Sequence, residues 1–276
     1  MLIISLSTIP SRFKLLGPTL QSMLQQDIKI DAIELFIPKT YRRFPDYNQI
    51  LPRVPKGVTI NVVEFDFGPA TKILPAVQKY NDKDVNILYC DDDRICPPNW
   101  ARSFMEARAT HPNDAIASCG WEINQLHIKY KALKQPRAKL MRSRWDLPYR
   151  LRRLGQAILE LKTGDKRPKP RRSRNFLRGG YIDIMEGYGG GLIKPTMFDA
   201  PSFQIPNDFW SVDDIWLSGC LARQGIGIWA NRYGIVPEEQ LDITDALYQS
   251  VINGLDRQQT NLACAQHMQK EFSIWS

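Results

Sequence analysis

The stretch Val85-Asn86-Ile87-Leu88-Tyr89-Cys90-Asp91-Asp92-Asp93 decides how this chain is read. Its first six residues are a short apolar run rich in β-formers, preceded by Asn81-Asp82-Lys83-Asp84 and followed by Pro97-Pro98. An apolar run between polar and proline punctuation predicts a buried strand. The aspartates then fall just past the strand's carboxyl end, where open α/β sheets place their ligands. Three adjacent carboxylates repel one another, so a positive partner is expected. Arg94 offsets part of the charge. A hard divalent cation, Mg²⁺ or Mn²⁺, would offset more, because such ions favour carboxylate oxygens and bridge to phosphates. A solvated acidic turn is the plainer reading of the same residues.

Outward from this stretch, the first ninety residues alternate strand and helix. Strands are expected at 2–6, 33–37 and 58–63, the last with clean alternation at Val58, Ile60 and Val62. Helices are expected from Ser11 to about Gln25, after Pro10, and from Thr71 to Tyr80, where Ile73, Leu74, Val77 and Tyr80 share a face. Beyond the aspartates the pattern continues with a helix over 98–111, a strand over 115–118 and a glycine-rich turn, Glu186-Gly187-Tyr188-Gly189-Gly190-Gly191. A strand remnant at Leu192-Ile193, a helix over 211–224, a strand over 226–230 and helices over 245–253 and 256–272 follow. Strand–helix–strand order with short links predicts an α/β fold with a mostly parallel sheet covered on both faces.

The 276 residues allow one or two domains and are read as one, 1–276. Within it lie a basic insertion at 129–178 and a helical carboxyl-terminal segment at 240–276. The chain is 43% hydrophobic and 10% aromatic, enough for a real core. No apolar run approaches the ~20 residues of a membrane span, and Met1-Leu2-Ile3-Ile4-Ser5-Leu6 reads as a first strand, not a leader. Cys90, Cys96, Cys119, Cys220 and Cys264 are scattered with no Cys-x-x-Cys pair. That opposes a disulfide framework or zinc site and fits a reducing cytoplasm. Charge is uneven: between Lys129 and Arg178 there are 18 Lys and Arg against 3 acids, so of the net +8 this segment carries +15 and the rest −7. Such asymmetry points to an anionic partner, a membrane surface or a nucleic acid.

Five pieces, in order, resemble glycosyltransferases of the GT-A type, in particular small family-2-like bacterial enzymes of polysaccharide and lipopolysaccharide assembly. They are Ser7-Thr8-Ile9-Pro10-Ser11-Arg12, Gly68-Pro69-Ala70-Thr71-Lys72-Ile73-Leu74-Pro75, the aspartate triplet, the glycine-rich turn, and Val212-Asp213-Asp214-Ile215-Trp216-Leu217-Ser218. The resemblance spans about 1–125 and 180–235 and leaves the basic segment and the carboxyl terminus uncovered. It implies a GT-A, Rossmann-like mixed sheet flanked by helices, with a basic, partly helical insertion. It also implies metal-dependent transfer of a sugar from a UDP- or GDP-sugar to a hydroxyl of a glycan or lipid-linked acceptor.

The resemblance assigns roles residue by residue. Asp91 and Asp93 fit the Asp-x-Asp pattern that holds Mn²⁺ or Mg²⁺ against the donor diphosphate; in an extended chain residues two apart project to one side. Asp92 would then face the donor ribose, although the triplet leaves the register open. Thr8, Pro10 and Arg12 look like the nucleotide-contacting loop. Asp66, read at the same strand end, would also touch the nucleotide, and Lys72 would meet phosphate together with helix-start amides. Gly189 and Gly190, with Gly187 and Gly191, would let the backbone approach a sugar or phosphate. Tyr188 and Trp210 offer faces for a sugar ring. Asp214, with Asp213 second, would accept the acceptor's proton in an inverting reaction; Ser211 and Asp214 also read as a capping box. His267 is a third metal ligand in the pattern of some relatives.

In the basic segment, Leu151, Leu154, Ile158 and Leu161 form one apolar stripe among arginines, followed by the polybasic tract 166–174. A basic amphipathic helix of this kind can lie in a membrane interface, on the inner face of the plasma membrane if the enzyme is cytoplasmic. Two other classes compete with the transferase: a non-enzymatic anion- or nucleic-acid-binding protein, and a nucleotidyltransferase on a related scaffold. The first lacks a nucleic-acid motif and leaves the aspartates without a role. The second lacks a glycine- and lysine-containing phosphate loop near the amino terminus.

Overall fold

A computed structural model describes residues 1–132, 134–141, 147–164, 176–232, 234–240 and 256–276. The chain begins β1 (Leu2–Ser7), α1 (Leu16–Leu24), β2 (Ala32–Pro38), β3 (Val58–Val63), α2 (Leu74–Lys79), β4 (Asn86–Tyr89), β5 (Arg94–Ile95) and α3 (Trp100–Thr110). Then come β6 (Ala115–Ala117), β7 (Gly120–Trp121), β8 (Lys139–Leu140), α4 (Leu147–Thr163), β9 (Phe176–Arg178), β10 (Gly180–Ile182) and β11 (Ile184–Met185). The chain closes with β12 (Gly191–Ile193), α5 (Asp213–Arg223), β13 (Ile228–Ala230), β14 (Glu238–Glu239) and α6 (Arg257–Phe272). The expected polybasic tract at 166–174 and the helix at 245–253 lie outside the described residues.

One eight-stranded sheet has the order β10-β13-β6-β12-β4-β1-β2-β3. β3, β2, β1 and β4 run parallel, with Ile4 opposite Ile33 and Leu88. β12 runs antiparallel between β4 and β6, and β10 antiparallel at the edge. The sheet is therefore a Rossmann-like mixed sheet flanked by helices, as expected from the sequence, with more antiparallel pairing than the alternation implied.

Period-two alternation distributes the strands' side chains over two cores. Leu2, Ile4 and Leu6 of β1, Ile33 and Leu35 of β2, and Leu88 of β4 pack with α1 and α3. Ile3, Phe36, Ile87 and Tyr89 pack on the other face with α2, α5 and α6. The same parity carries past the end of β4. Cys90 belongs to the first core, and the next two side chains part to opposite sides of the strand end. That parting sets up the site.

Local departures from expectation have local causes. The expected helix from Ser11 is a 3₁₀ turn, Pro10–Leu15, before α1, and the one from Thr71 is a 3₁₀ turn, Gly68–Lys72, before α2. Each turn carries a proline in its first two positions, Pro10 and Pro69, and 3₁₀ turns are frequent at the amino termini of α-helices. α6 starts as its sequence predicts: Asp256 caps Gln259 N at 2.8 Å and Gln259 Oε1 accepts from Asp256 N at 2.9 Å.

Candidate active site

A cavity of about 540 Å³ opens at the carboxyl ends of the four parallel strands. β1 delivers Thr8 and Arg12, β2 Pro38, β3 Asp66, and β4 Asp91, Asp92 and Asp93; α5 adds Asp213 and Asp214 from the opposite wall. Carboxyl-terminal strand ends of an α/β sheet diverge into such a crevice.

The aspartates separate as the parity of β4 dictates. Asp91 turns toward α5: Lys72 Nζ lies 2.7 Å from Asp91 Oδ1 and 2.9 Å from Asp213 Oδ2. Asp92 turns toward β1 and α1: Thr8 Oγ1 donates to its Oδ2 at 2.5 Å, Arg12 Nη1 to its Oδ1 at 2.7 Å, and Thr19 Oγ1 to its carbonyl at 2.9 Å. The chain then bends into β5, so the extended alternation stops. Asp93 consequently shares Arg12, at 3.3 Å, with Asp92, and meets Arg94 Nε at 2.8 Å. All three line the cavity, each already facing a cation.

Lys72 is the centre of this arrangement. Burial opposes its charge, but Asp213 and Asp91 outweigh burial and hold the ammonium well above its ordinary pKa. Burial likewise pushes the Asp91 carboxyl up, and Lys72 more than reverses the effect, leaving it lowered. Asp92 ends raised, because its burial outweighs Arg12. Gly187 closes over the ammonium: a Cβ there would fall 2.6 Å from Lys72 Nζ and 3.2 Å from Asp91 Oδ1.

Asp213 and Asp214 open α5 but differ in environment. Asp213 is 4% exposed and bound to Lys72; Asp214 is 24% exposed and faces the cavity. Asp214 Oδ1 accepts from Gly187 N at 3.0 Å, and its Oδ2 lies 3.6 Å from Arg257 Nη2. The helix is capped at Val212 without a side-chain bond, so the capping box read from Ser211 is absent and Asp214 is turned to the cavity instead. Burial first, then the neighbouring Asp213, pushes the Asp214 carboxyl up to about 8.

The remaining candidate residues divide. Asp66 lines the cavity; its carboxylate accepts from Arg42 N and Gly68 N, both at 2.8 Å, and burial still raises it. Tyr188 and Trp210 also line it, with the Arg94 guanidinium 5.1 Å from the Tyr188 ring. Pro10, Gly189, Gly190 and His267 are not among the lining residues. Gly189 O accepts from Trp100 Nε1 at 3.1 Å and Ser118 Oγ at 2.5 Å, while Gly190, at φ +95°, leaves no room for a Cβ beside the Trp100 ring. His267 lies beside Phe209 and Trp216, with centroids at 5.1 and 6.2 Å.

No family model matches the chain, and no curated protein matches it in sequence. Among solved structures it is similar to S. aureus TarS. TarS 1-349 is 13% identical with a TM-score of 0.46, over 87% of this chain and 60% of that one. TarS 1-349 in complex with UDP-GlcNAc is 11% identical with a TM-score of 0.48, over 91% and 61%, and in complex with UDP 12% identical with 0.45, over 87% and 60%. The chain spans about three fifths of these TarS 1-349 structures. The chemistry below rests on the cavity's own residues.

The donor set does not fit a resident divalent ion. Asp91 and Asp213 close on an ammonium, Asp92 and Asp93 on guanidinium groups, and among the described residues no three His, Cys, Asp or Glu side chains are placed to hold a metal. Yet the lining is not neutral. Eight carboxylates (Asp66, Asp91, Asp92, Asp93, Glu186, Asp213, Asp214, Glu239) face five cations (Arg12, Arg43, Lys72, Arg94, Arg257), an excess of three negative charges, or two with Asp214 protonated. Glu186, inside the quoted glycine-rich turn, and Glu239, next to Glu238, were given no role in the sequence reading, because neither stands in a pattern that points to a site. Arg257 and Asn261 escaped it because a docking helix far along the chain brings them in, Arg257 Nη1 donating to Ser211 O at 2.9 Å.

Proposed function

We propose that this protein is a glycosyltransferase that moves a sugar from a nucleoside diphosphate donor, a UDP- or GDP-sugar, to a hydroxyl of a glycan or lipid-linked acceptor in cell-surface polysaccharide synthesis. The observation that carries this reading is the convergence of Thr8, Arg12, Asp66, Lys72 and the aspartate triplet, at the carboxyl ends of four parallel strands, on a carboxyl group with a pKa of about 8. A cavity of about 540 Å³ is of the size that encloses a ligand of this class.

In this reading the strand-end loops hold the nucleotide. Asp66 and Asp92 offer acceptor oxygens to base and ribose, and Arg12 and Arg94 face the diphosphate. Tyr188 and Trp210 offer apolar faces to the sugar. The acceptor oxygen attacks the anomeric carbon as the bond from that carbon to the diphosphate oxygen breaks, so configuration inverts. Asp214, ionised, takes the hydroxyl proton, and the nucleoside diphosphate leaves with the bonding pair. A general base works best with a pKa near the working pH, which burial supplies here.

The lining's excess of negative charge bears on the donor. A diphosphate entering such a cavity is repelled unless its own charge is covered. The donor is therefore read as the Mg²⁺ or Mn²⁺ complex of the nucleotide-sugar, the ion arriving as part of the substrate and neutralising the diphosphate. A thermal-shift series with UDP, GDP, ADP and CDP, each with and without Mn²⁺, tests this, because a ligand that binds only the folded state raises the melting temperature by mass action. A rise for one diphosphate with Mn²⁺, and release of that nucleotide from its sugar conjugate, is expected. No rise for any base would end the donor reading.

A further inference from the structure

Helix α4 is inverted for a surface helix. Such helices normally turn their apolar stripe to the core and their polar face to water. In α4, Leu147, Leu151, Leu154, Ile158 and Leu161 recur at steps of three and four and so share one face. They are 62%, 60%, 60%, 47% and 87% exposed. The half-buried positions, Tyr149, Arg153, Gln156, Ala157 and Glu160, lie on the opposite, largely polar face. There Gln156 Nε2 donates to Glu160 Oε1 at 2.7 Å. Arg150 and Lys162, both exposed, fall at the margins of the apolar stripe. In sequence the helix lies between β8 and β9, which pair as a small antiparallel ladder. It belongs to the segment whose 18 basic residues face 3 acids.

We propose that α4 is an interfacial anchor that lays its Leu/Ile stripe into an anionic lipid bilayer, with Arg150 and Lys162 at the headgroups. Charge selects this occupant over others. A second copy of the chain would bring two +15 segments face to face. A nucleic acid would satisfy the basic residues but leave the five aliphatic side chains in water. A bilayer surface accepts both the stripe and its basic flanks, and needs no shaped groove. The inference stands apart from the reading of the cavity, since no residue of α4 lines it.

The test uses the full chain in flotation with vesicles of phosphatidylcholine alone or mixed with phosphatidylglycerol, at about 0.1 and about 0.5 M salt. Binding to the anionic vesicles, weakened by salt and absent with phosphatidylcholine alone, is expected. The triple variant Leu151→Ser/Leu154→Ser/Ile158→Ser should bind at least about tenfold more weakly with its melting temperature unchanged, because these side chains are already in water in the free protein. As a second readout, Leu161→Cys takes an environment-sensitive thiol dye selectively, since all five native cysteines are buried. Its emission should shift to the blue on anionic vesicles. No vesicle binding, equal binding by the triple variant, or a dye that stays in water would overturn the proposal. So would a wild-type dimer that the serines dissolve, or RNA binding that displaces the vesicles and survives the serines.

Discussion

Replacing Lys72 by methionine is the sharpest test of how this site is held together. The substitution keeps the unbranched stem and removes the ammonium that lies 2.7 Å from Asp91 Oδ1 and 2.9 Å from Asp213 Oδ2. Two carboxylates then share a closed wall with no cation between them, beneath Gly187. Removing one partner of a buried ion pair costs about 3–5 kcal/mol, mostly because it strands the other charge. For a chain of this size class each kcal/mol moves the midpoint by about 2–4 °C, so a fall of roughly 6–20 °C is expected. Urea unfolding of the wild type, Lys72→Met, Asp213→Asn and the double variant forms a cycle. The double variant should be less destabilised than the sum of the singles, since it removes the stranded charge together with its partner. A single-variant loss below about 1 kcal/mol, or strict additivity, would refute the view that Lys72 is the cation on which the acidic wall closes.

Three further outcomes follow from the same geometry. Asp214→Asn should lower kcat by about 10²–10⁴-fold while leaving nucleotide binding in place, and wild-type kcat/KM should climb through an acid limb near pH 8; a flat profile, or full turnover by the variant, counts against Asp214 as base. Stability should also report this carboxyl: its folded pKa of about 8 exceeds the ordinary 3.8, so the folded state holds the proton longer. The contribution is complete below about pH 4 and is lost as pH rises to about 8, so melts over that window should decline in the wild type and less so in Asp214→Asn. Gly187→Ala places a methyl 2.6 Å from Lys72 Nζ, and should cost activity together with about 1–3 kcal/mol of stability, read by turnover and urea unfolding.

What the sequence disclosed and what it withheld divide along range. The run from Val85 to Tyr89 identified its strand, and the parity of that strand placed Asp91 and Asp92 on opposite sides, because period two is a local property of extended backbone. The bend into β5 was not legible, and it is what lets Asp93 share Arg12 with Asp92. The direction of β12 was equally hidden, since three residues, Gly191–Ile193, carry no orientation of their own. The glycine-rich turn was legible as special. Which glycine meets the site depends on tertiary approach: Gly187 covers Lys72, whereas Gly189 and Gly190 pack on Cys119 and Trp100. Tertiary placement also brings Arg257 to Asp214 across the chain.

Charge is spread unevenly along this chain, +15 in the insertion and −7 in the rest. None of the insertion's described residues lines the cavity, where carboxylates outnumber cations by three. Four of the five lining cations face an aspartate: Arg12 meets Asp92, Lys72 meets Asp91 and Asp213, Arg94 meets Asp93, and Arg257 lies 3.6 Å from Asp214. In the proposed reading an anionic donor meets side chains that can orient it and a lining with an excess of carboxylates, so the cation that covers its phosphates is read as arriving with it.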